Sequence, residues 1–380
     1  MALARATNRK LCLAPFQRFY LNTHQTRQTE FSPELARLNV TQYAIPFQLM
    51  YSTALVRDYV PTLPISTCAR RCRTACTTMH SAHNIDRVDR WRPGSTHRFV
   101  ATTGIPAQSL RKSRNRIHQA AEVRNPMDLI GPCIASRCVV LVAATYKPAL
   151  DDLTITNTLD ASPTIKSLAA WVREEVMHLN SEDMHACVHW RLEETKCRGL
   201  GIGLHEGRSA DDGGRAPNLE SPICFPNVPD VNLDELADSG SKRVIVRVKD
   251  FIATLRNFRE RTAASSVLLA TDCNDPRLLE LVERETGVVT ITNALPLKNH
   301  ANVEVLGDGE VRSRVEQELC SRGHGFLGST YSSWSETVSR IRHARAGAPY
   351  TRGVFAPHLA SLDGALEVEA FRSSLLRRSA

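Results

Sequence analysis

From residue 139 onward, short apolar runs alternate with longer segments in which apolar residues recur at helical spacing. This alternation constrains the fold more than any other feature, because strand, helix and parallel strand form the repeating unit of α/β proteins. The runs that match buried strands occupy residues 139–144, 186–188, 266–270, 288–291 and 326–327. The sequence therefore predicts an α/β protein with a parallel sheet and flanking helices.

The segments between these runs have the periodicity and the end signals of helices. Ser162 and Pro163 are typical of an N-cap and a first helical residue. Residues 244–258 also keep helical spacing, but their first part, VIVRV, fits a strand equally well, so both alternatives stay open. Helices are predicted over residues 163–180, 276–282, 312–321 and 333–345.

Charge and periodicity divide the chain into regions. Residues 1–130 contain 19 Lys and Arg against 7 Asp and Glu, a net charge of +12, whereas the remainder carries −4. Because apolar periodicity is weak there, we predict that 1–130 is a basic, divergent or partly disordered N-terminal region. Residues 131–350 are predicted to form a Rossmann-like domain with an insertion at about 198–240, and residues 351–380 a C-terminal tail.

Two features of the chain bear on its location. The first acidic residue is Glu30, and the segment before it contains four arginines and one lysine, a composition that resembles an organelle transit segment. No apolar run is long enough to span a membrane. The arginines of residues 1–130 are scattered, which favours a solvated surface. A nucleic-acid-binding role for this region is kept as the third-ranked hypothesis.

The eleven cysteines are an odd number, so they cannot all pair within the chain. Cys68, Cys72 and Cys76 are four apart and would share one face of a helix. A zinc site is disfavoured because paired C-x-x-C spacing is missing, and the other cysteines are too dispersed to predict a disulfide framework. Asn39-Val40-Thr41 is a glycosylation sequon, which matters only if the chain is secreted.

Polar clusters fall at or just past the ends of three predicted strands. They are His189 with Arg191, Asp272, and Ser332 with Ser333, the last pair at the start of a helix. In parallel sheets, ligands bind at the carboxyl ends of strands. Each cluster also has a structural explanation: a surface ion-pair group for the first, and helix capping for the other two. Taken together, they predict a crevice with a fixed cation, a carboxylate and anion donors.

Such a crevice suits a nucleotide diphosphate or a nucleotide sugar. A guanidinium offers paired donors to a phosphate, and a helix N-terminus with serines adds neutral donors. A carboxylate on a neighbouring strand accepts from a sugar hydroxyl or a base N–H. The chain has no G-x-x-x-x-G-K-[ST] loop and no G-x-G-x-x-G between a strand and a helix, which disfavours P-loop kinases and dinucleotide oxidoreductases.

Three blocks of the sequence resemble the signature blocks of the protein O-fucosyltransferase superfamily. They are ACVHWRLE at 186–193, SVLLATD at 266–272 and ELCSRGHGFLGSTYSSWSETVSRIRHAR at 318–345. Their order and spacing also match, and the resemblance covers about residues 160–350. It implies a GT-B-like architecture, in which the C-terminal Rossmann-like half holds a nucleotide sugar.

The resemblance also implies roles for individual residues. Arg191 would grip the β-phosphate and act in catalysis, His189 would lie beside the nucleotide, and Asp272 would lie near the base. Ser332, Ser333 and Ser335 would bind the diphosphate. The expected donor is GDP-fucose, the acceptor a hydroxyl of a protein or glycan, and the reaction an inverting transfer without a metal or other cofactor.

The chain also departs from the family pattern. A G-G-x-N-N-x-R-like loop, which the family carries in its N-terminal half, is missing from residues 1–150, and Trp334 replaces the usual phenylalanine. The general base and the acceptor site are therefore unassigned. The leading hypothesis is a fucosyltransferase-type enzyme, the second a non-catalytic nucleotide-sugar-binding protein. The family analogy implies the secretory pathway.

Overall fold

The computed structural model describes residues 4–5, 8–17, 32–41, 44–72, 76–81, 116–119, 135, 138–143, 160–190, 217–225, 244–273, 275–294, 300–328 and 333–346. The chain divides into two compact units. One comprises Met1–Phe19 and Leu35–Ser162, and the other comprises Tyr20–Glu34 and Pro163–Ala380. The predicted domain boundaries near residues 130 and 350 remain predictions.

Helices and strands alternate through the described residues. The strands are β1 (Leu11–Leu13), β2 (Phe16–Gln17), β3 (Ala44–Ile45), β4 (Thr62–Pro64), β5 (Cys76–Ser81), β6 (Arg116–Gln119), β7 (Val139–Ala143), β8 (His185–Trp190), β9 (Pro222–Phe225), β10 (Val244–Arg247), β11 (Ser266–Thr271) and β12 (Gly325–Leu327). The helices are α1 (Pro33–Arg37), α2 (Phe47–Met50), α3 (Thr53–Tyr59), α4 (Ile65–Arg71), α5 (Pro163–Trp171), α6 (Val248–Thr262), α7 (Pro276–Thr286), α8 (Ile291–Ala294), α9 (Ala301–Leu306), α10 (Gly309–Arg322) and α11 (Ser333–Ala346). Among the described helices, none is long and apolar enough to cross a membrane.

The first unit contains a parallel sheet that the sequence analysis did not predict. Its strand order is β6-β5-β7, with both neighbours parallel to β5. Only β7 was predicted, as the run at 139–144. Smaller pairs, β1 with β4 and β2 with β3, lie in the same unit.

Two disulfides cross-link the first unit, Cys12–Cys68 and Cys72–Cys138. The prediction that Cys68, Cys72 and Cys76 share a helical face is wrong. Cys68 lies in α4, Cys72 is its C-cap and Cys76 begins β5, because the helix ends at Arg71. The sequence did not predict these two disulfides, because the cysteines are dispersed along the chain and their spacing does not specify a pairing.

The second unit is built around a parallel three-stranded sheet with the order β11-β8-β12. Each of its strands is one of the predicted apolar runs, so the prediction of an α/β protein with small parallel sheets is confirmed. The run at 288–291 is not a strand. Val289 forms a single parallel bridge with Leu268, and the chain turns into α8 at Ile291.

Helix ends follow local signals where the sequence supplies them. The Asp275 side chain accepts from the backbone N–H groups of Arg277 and Leu278, Pro276 opens α7, and Gly287 ends it with a φ of 66°. The helix predicted to Asn180 is shorter: α5 ends at Trp171 and a π-helical segment, Val172–Val176, follows. The ambiguous VIVRV segment is strand β10 followed directly by α6, and β10 pairs with β9 from the predicted insertion.

The central strand β8 is buried on both faces, and the faces differ in chemistry. Ala186, Val188 and Trp190 join an apolar cluster with residues of α6 and α7, and the Trp190 ring lies 4.4 Å from that of Phe251. The alternate residues, His185, Cys187 and His189, contact α10 and α11 instead. Period-two alternation along the strand produces this division.

Several bonds join α10 to β8 and α11. His185 Nε2 lies 3.0 Å from the Leu319 carbonyl oxygen, and Cys187 forms a disulfide with Cys320. Arg342 of α11 donates to carbonyl groups at the end of α10, including those of Cys320 and Gly323. Arg345 bonds Glu318 and Ser321. Arg342 and Arg345 of α11 thus bond to the C-terminal turns of α10.

Candidate functional site

The three sequence blocks that resemble the fucosyltransferase signatures meet in one sheet. β8 carries the first block, β11 the second, and β12 with α10 and α11 the third. Because β11 and β12 both run parallel to β8, all three strands end at the same edge. Thr271 lies opposite Trp190, and Leu327 lies opposite Val188, so the last residues of the strands lie within two positions of each other.

His189 occupies this edge, but as part of the strand. It is the penultimate residue of β8 and is paired in register with Ala270 of β11. His189 thus lies at the end of the strand, within the predicted range, because the ladder extends two residues beyond the apolar run 186–188. The side chain is only 7% exposed.

The His189 ring is held by two consecutive residues of α11. Its Nδ1 lies 2.7 Å from the hydroxyl of Ser335, and its plane stacks on the Trp334 ring with the centroids 4.2 Å apart. The Trp334 indole N–H donates to Ser313 Oγ of α10 at 2.8 Å. A hydrogen bond to Ser335 and stacking on Trp334 thus help to fix this buried imidazole.

Gly328 makes room for this arrangement at the end of β12. A Cβ on residue 328 would lie 2.9 Å from the Cβ of Ser335, 3.0 Å from its Oγ and 3.0 Å from the Phe326 ring. Those separations are too short for a side chain, so glycine is required where β12 passes α11. The sequence analysis treated Gly328 only as a strand breaker.

Asp272 is the first residue beyond β11 and is partly buried. The preceding Thr271 accepts from the Cys273 backbone N–H at 3.1 Å, which turns the chain at the strand end. The capping role considered for Asp272 is filled by Asp275, whose side chain caps α7. Asp272 therefore stays at the carboxyl edge of the sheet as a candidate ligand.

The remaining predicted residues are described in part or not at all. Arg191 follows Trp190 and lies outside the described residues, as does Ser332. Ser333 is the first residue of α11, and only its backbone is described. The described site thus brings together His189, Ser335 and the N-terminus of α11 on one side of the strand ends.

Burial governs the protonation of the histidine that shares a face with His189. Burial lowers the pKa of His185, a bond to the Leu319 carbonyl partly opposes this, and the charges of Arg173 and Arg342 lower it further. Burial also lowers the pKa of Arg342. The lowered pKa favours the neutral form of His185, so this residue adds no positive charge at the start of β8, the strand that also carries His189.

Sequence reasoning missed the Cys187–Cys320 disulfide. Both residues were interpreted as small buried side chains rather than nucleophiles, and both are fully buried, but they are bonded to each other. The spacing of 133 residues carried no signal for the pairing. Trp334 and Ser313 were also missed as supports for His189, because they depend on the packing of α11 against α10.

The donor groups of the described side chains bear on whether the site suits a metal ion or an anion. Within those parts of the chain, His, Cys, Asp and Glu residues form no group of three or more that could hold a metal ion. The donors near the sheet edge, an imidazole, a serine hydroxyl and helix N–H groups, are of the kind that bind anions.

Comparison with solved structures gives a fold likeness. The chain is similar to POFUT1, a protein O-fucosyltransferase, in its complex with GDP and in its complex with GDP-fucose. In each case the TM-score is 0.50 with 12% sequence identity, over 93% of this chain and 92% of the other. At this identity the likeness is one of fold. No protein-family model matches the sequence, and no curated protein matches it.

Proposed function

We propose that the protein is a glycosyltransferase of the fucosyltransferase type, which transfers fucose from GDP-fucose to a hydroxyl of a protein or glycan with inversion. The proposal includes a GT-B-like architecture in which the second unit holds the nucleotide sugar in a Rossmann-like domain. The fold likeness to POFUT1, known in complexes with GDP and GDP-fucose, supports this assignment.

One observation carries the proposal: three blocks far apart in the sequence come together at one sheet edge. The blocks at 186–193, 266–272 and 318–345 resemble the family signatures in sequence and are separated by tens of residues along the chain. Their strands are β8, β11 and β12, which are hydrogen-bonded neighbours. The carboxyl edge of a parallel sheet is where such folds bind nucleotides.

The proposed chemistry follows from the donors assigned to this edge. Departure of GDP leaves negative charge on the diphosphate, and fixed donors that match this charge lower the barrier to transfer. We assign that role to Arg191 and to the α11 N-terminus with Ser332 and Ser333. His189 and Asp272 would contact the nucleotide. No metal ion is assigned to the reaction, because in this proposal Arg191 and the N–H groups of the α11 N-terminus supply the positive charge and the donors for the diphosphate.

Disulfide bonding supports a location in the secretory pathway. The described residues contain the disulfides Cys12–Cys68 and Cys72–Cys138 within the first unit and Cys187–Cys320 within the second. Structural disulfides form and persist in oxidising compartments. We therefore favour the secretory pathway over the organelle-transit alternative.

The second candidate is a nucleotide-sugar-binding protein without transferase activity. The missing G-G-x-N-N-x-R-like block favours it, because that block helps the family hold donor and acceptor. A chain that keeps the diphosphate donors but lacks this block would bind GDP-fucose and leave it intact.

Calorimetry with GDP and a GDP-fucose turnover assay on the full chain test both candidates. We expect the Arg191→Ala variant to lose at least about 100-fold in turnover, as for the removal of a main oxyanion donor. Arg284→Ala is the matched control, because Arg284 is an exposed arginine of α7 that pairs only with neighbouring Glu285 in the described residues. Unfolding curves would show whether each variant keeps its fold.

The outcomes separate the candidates. Turnover that is lost in Arg191→Ala and kept in Arg284→Ala supports the transferase. GDP affinity without release of fucose to water or to any acceptor in a panel supports the binding protein. Wild-type protein that binds neither GDP nor GDP-fucose would overturn both.

A further inference from the structure

We propose that Ser335 is a positioning residue, which fixes the orientation and the tautomer of His189 and does not itself bind the diphosphate. The inference rests on the proposed nucleotide-sugar site, because it reassigns one residue of that site. It differs from the role that the family resemblance implies, in which Ser335 is a diphosphate ligand.

The Ser335 hydroxyl is already engaged inside the protein. Its Oγ lies 2.7 Å from His189 Nδ1, and Ser335 has no solvent exposure. Gly328 packs directly against this hydroxyl, since a Cβ on residue 328 would lie 3.0 Å from Ser335 Oγ. A phosphate oxygen could reach this hydroxyl only if the packing between β12 and α11 opened.

The His189 ring has two separate constraints. Stacking on Trp334 sets the plane of the ring, and the bond from Nδ1 to Ser335 sets which ring edge faces α11. The Ser313 hydroxyl, which accepts from the Trp334 indole, holds the stacking partner in place. Loss of Ser335 would leave the ring plane set by Trp334 but would allow the ring to flip by about 180° about χ2, which exchanges the positions of its two edges.

The direction of the same hydrogen bond is linked to the position of the imidazole proton, because a serine hydroxyl can either donate to Nδ1 or accept from it. A neutral imidazole has one N–H and one acceptor nitrogen. If the serine hydroxyl donates to Nδ1, the proton is on Nε2. We assign this tautomer because a diphosphate offers acceptors only, so Nε2 must be the donor if His189 is to bind it.

The nitrogen-15 chemical shifts of histidine rings in the ligand-free full chain test the assignment directly. We expect one His189 tautomer in the wild type, with the proton on Nε2, and a mixture or the opposite tautomer in Ser335→Ala. Ser339→Ala is the matched control, because Ser339 is another buried serine of α11, one turn further on, whose hydroxyl has no hydrogen-bond partner among the described residues. An unchanged His189 spectrum in Ser335→Ala would overturn the proposal.

A double-mutant cycle on GDP affinity separates a positioning residue from an independent ligand. Ser335→Ala should weaken GDP binding about tenfold, as for the loss of one hydrogen bond. In a His189→Ala background, Ser335→Ala should cause no further loss. If the two effects multiply instead, Ser335 binds the ligand by itself and the proposal is wrong. If the wild type does not bind GDP, the proposed function fails, and the nitrogen-15 shifts alone decide the role of Ser335.

A separate observation supports a second proposal, that Asn39 is N-glycosylated. Asn39 begins the sequon Asn39-Val40-Thr41 and lies exposed in the turn after α1, with a φ of 56°. Its backbone N–H donates to the Ala36 carbonyl, and the buried Val40 anchors the turn. Two disulfides in the same unit indicate that this part of the chain forms in an oxidising compartment.

The modification would join the Asn39 amide nitrogen to the anomeric carbon of an oligosaccharide carried on a lipid diphosphate. The bond from that carbon to the diphosphate breaks, the lipid diphosphate leaves, and the amide gives up one proton. The exposed turn leaves room for a bulky glycan.

Intact-mass measurement of the full chain secreted from a eukaryotic host, before and after treatment with a peptide N-glycosidase, tests this proposal. We expect a mass loss on treatment of the wild type and none for Asn39→Gln. Asn218→Gln is the matched control, because Asn218 is exposed but is not part of a sequon. A secreted wild-type chain of unmodified mass would overturn the proposal, and the result does not depend on GDP binding.

Discussion

Replacing Cys187 and Cys320 together by alanine should lower the free energy of unfolding of the second unit by about 5 kcal/mol. The estimate follows from loop closure: the disulfide spans 133 residues, and a cross-link of that length restricts the unfolded chain by about 5 kcal/mol at 25 °C in the chain-entropy model. Because whole domains are stable by only about 5–15 kcal/mol, the effect should be large enough to shift the whole unfolding transition.

Urea unfolding under non-reducing conditions, followed by tryptophan fluorescence, measures this loss. Trp190 lies in the apolar cluster and belongs to β8, the strand that carries Cys187, so its emission reports on the same packing. Cys273→Ala is the matched control, because Cys273 is a buried thiol of the same unit, and its replacement should cost only about 1 kcal/mol.

Two results would contradict this reasoning. One is a loss in the double variant no larger than that of Cys273→Ala, which would mean that the disulfide does not restrict the unfolded chain. The other is a loss that does not disappear when wild type and variant are compared under reducing conditions, because reduction should make the two nearly equal.

Three further substitutions test single features of the fold. Burial raises the pKa of Glu316 to about 7 from 4.5, so the native state holds an extra proton between these pH values and loses stability as pH rises through them. The free energy of unfolding of Glu316→Gln, relative to wild type, should therefore be higher at pH 8 than at pH 4.5 by up to about 3 kcal/mol. Urea unfolding at both pH values measures this, and an equal difference between variant and wild type at the two would refute it. Gly287→Ala should lower the free energy of unfolding by about 1–2 kcal/mol, because residue 287 has a φ of 66° and a Cβ there would lie 2.5 Å from the Arg259 guanidinium. Thermal unfolding measures this loss, and an unchanged melting temperature would contradict it. Trp334→Phe keeps the ring on His189 but removes the bond to Ser313, so it should lower the free energy of unfolding by about 1 kcal/mol, and a neutral effect would show that this bond is not stabilising.

Local sequence signals predicted elements well where they act within a few residues. The Asp275-Pro276 start of α7 follows from capping, although the helix continues past the predicted end at residue 282 to Thr286, and the apolar runs of β8, β11 and β12 follow from burial. The same signals failed at 288–291, where an apolar run forms only one bridge because α8 begins at Ile291. A short run does not specify whether a neighbouring strand is available to pair with it.

The candidate site illustrates the same division. The sequence selected His189, Asp272 and Ser335 through their blocks, and the polar clusters at the ends of predicted parallel strands predicted a shared crevice. It did not predict that the partner of His189 is Ser335, 146 residues away. Contacts of that separation depend on how α11 packs across the sheet.

By itself, then, the sequence determined the alternation of strands and helices, the ends of capped helices and the identity of the polar residues near strand ends, because each of these depends on neighbours along the chain. Only the tertiary structure decided the strand order β11-β8-β12, the pairing of Cys187 with Cys320 and the hold of Trp334 and Ser335 on His189. These depend on which buried surfaces meet, and packing between residues more than 100 positions apart leaves no periodic trace in the chain.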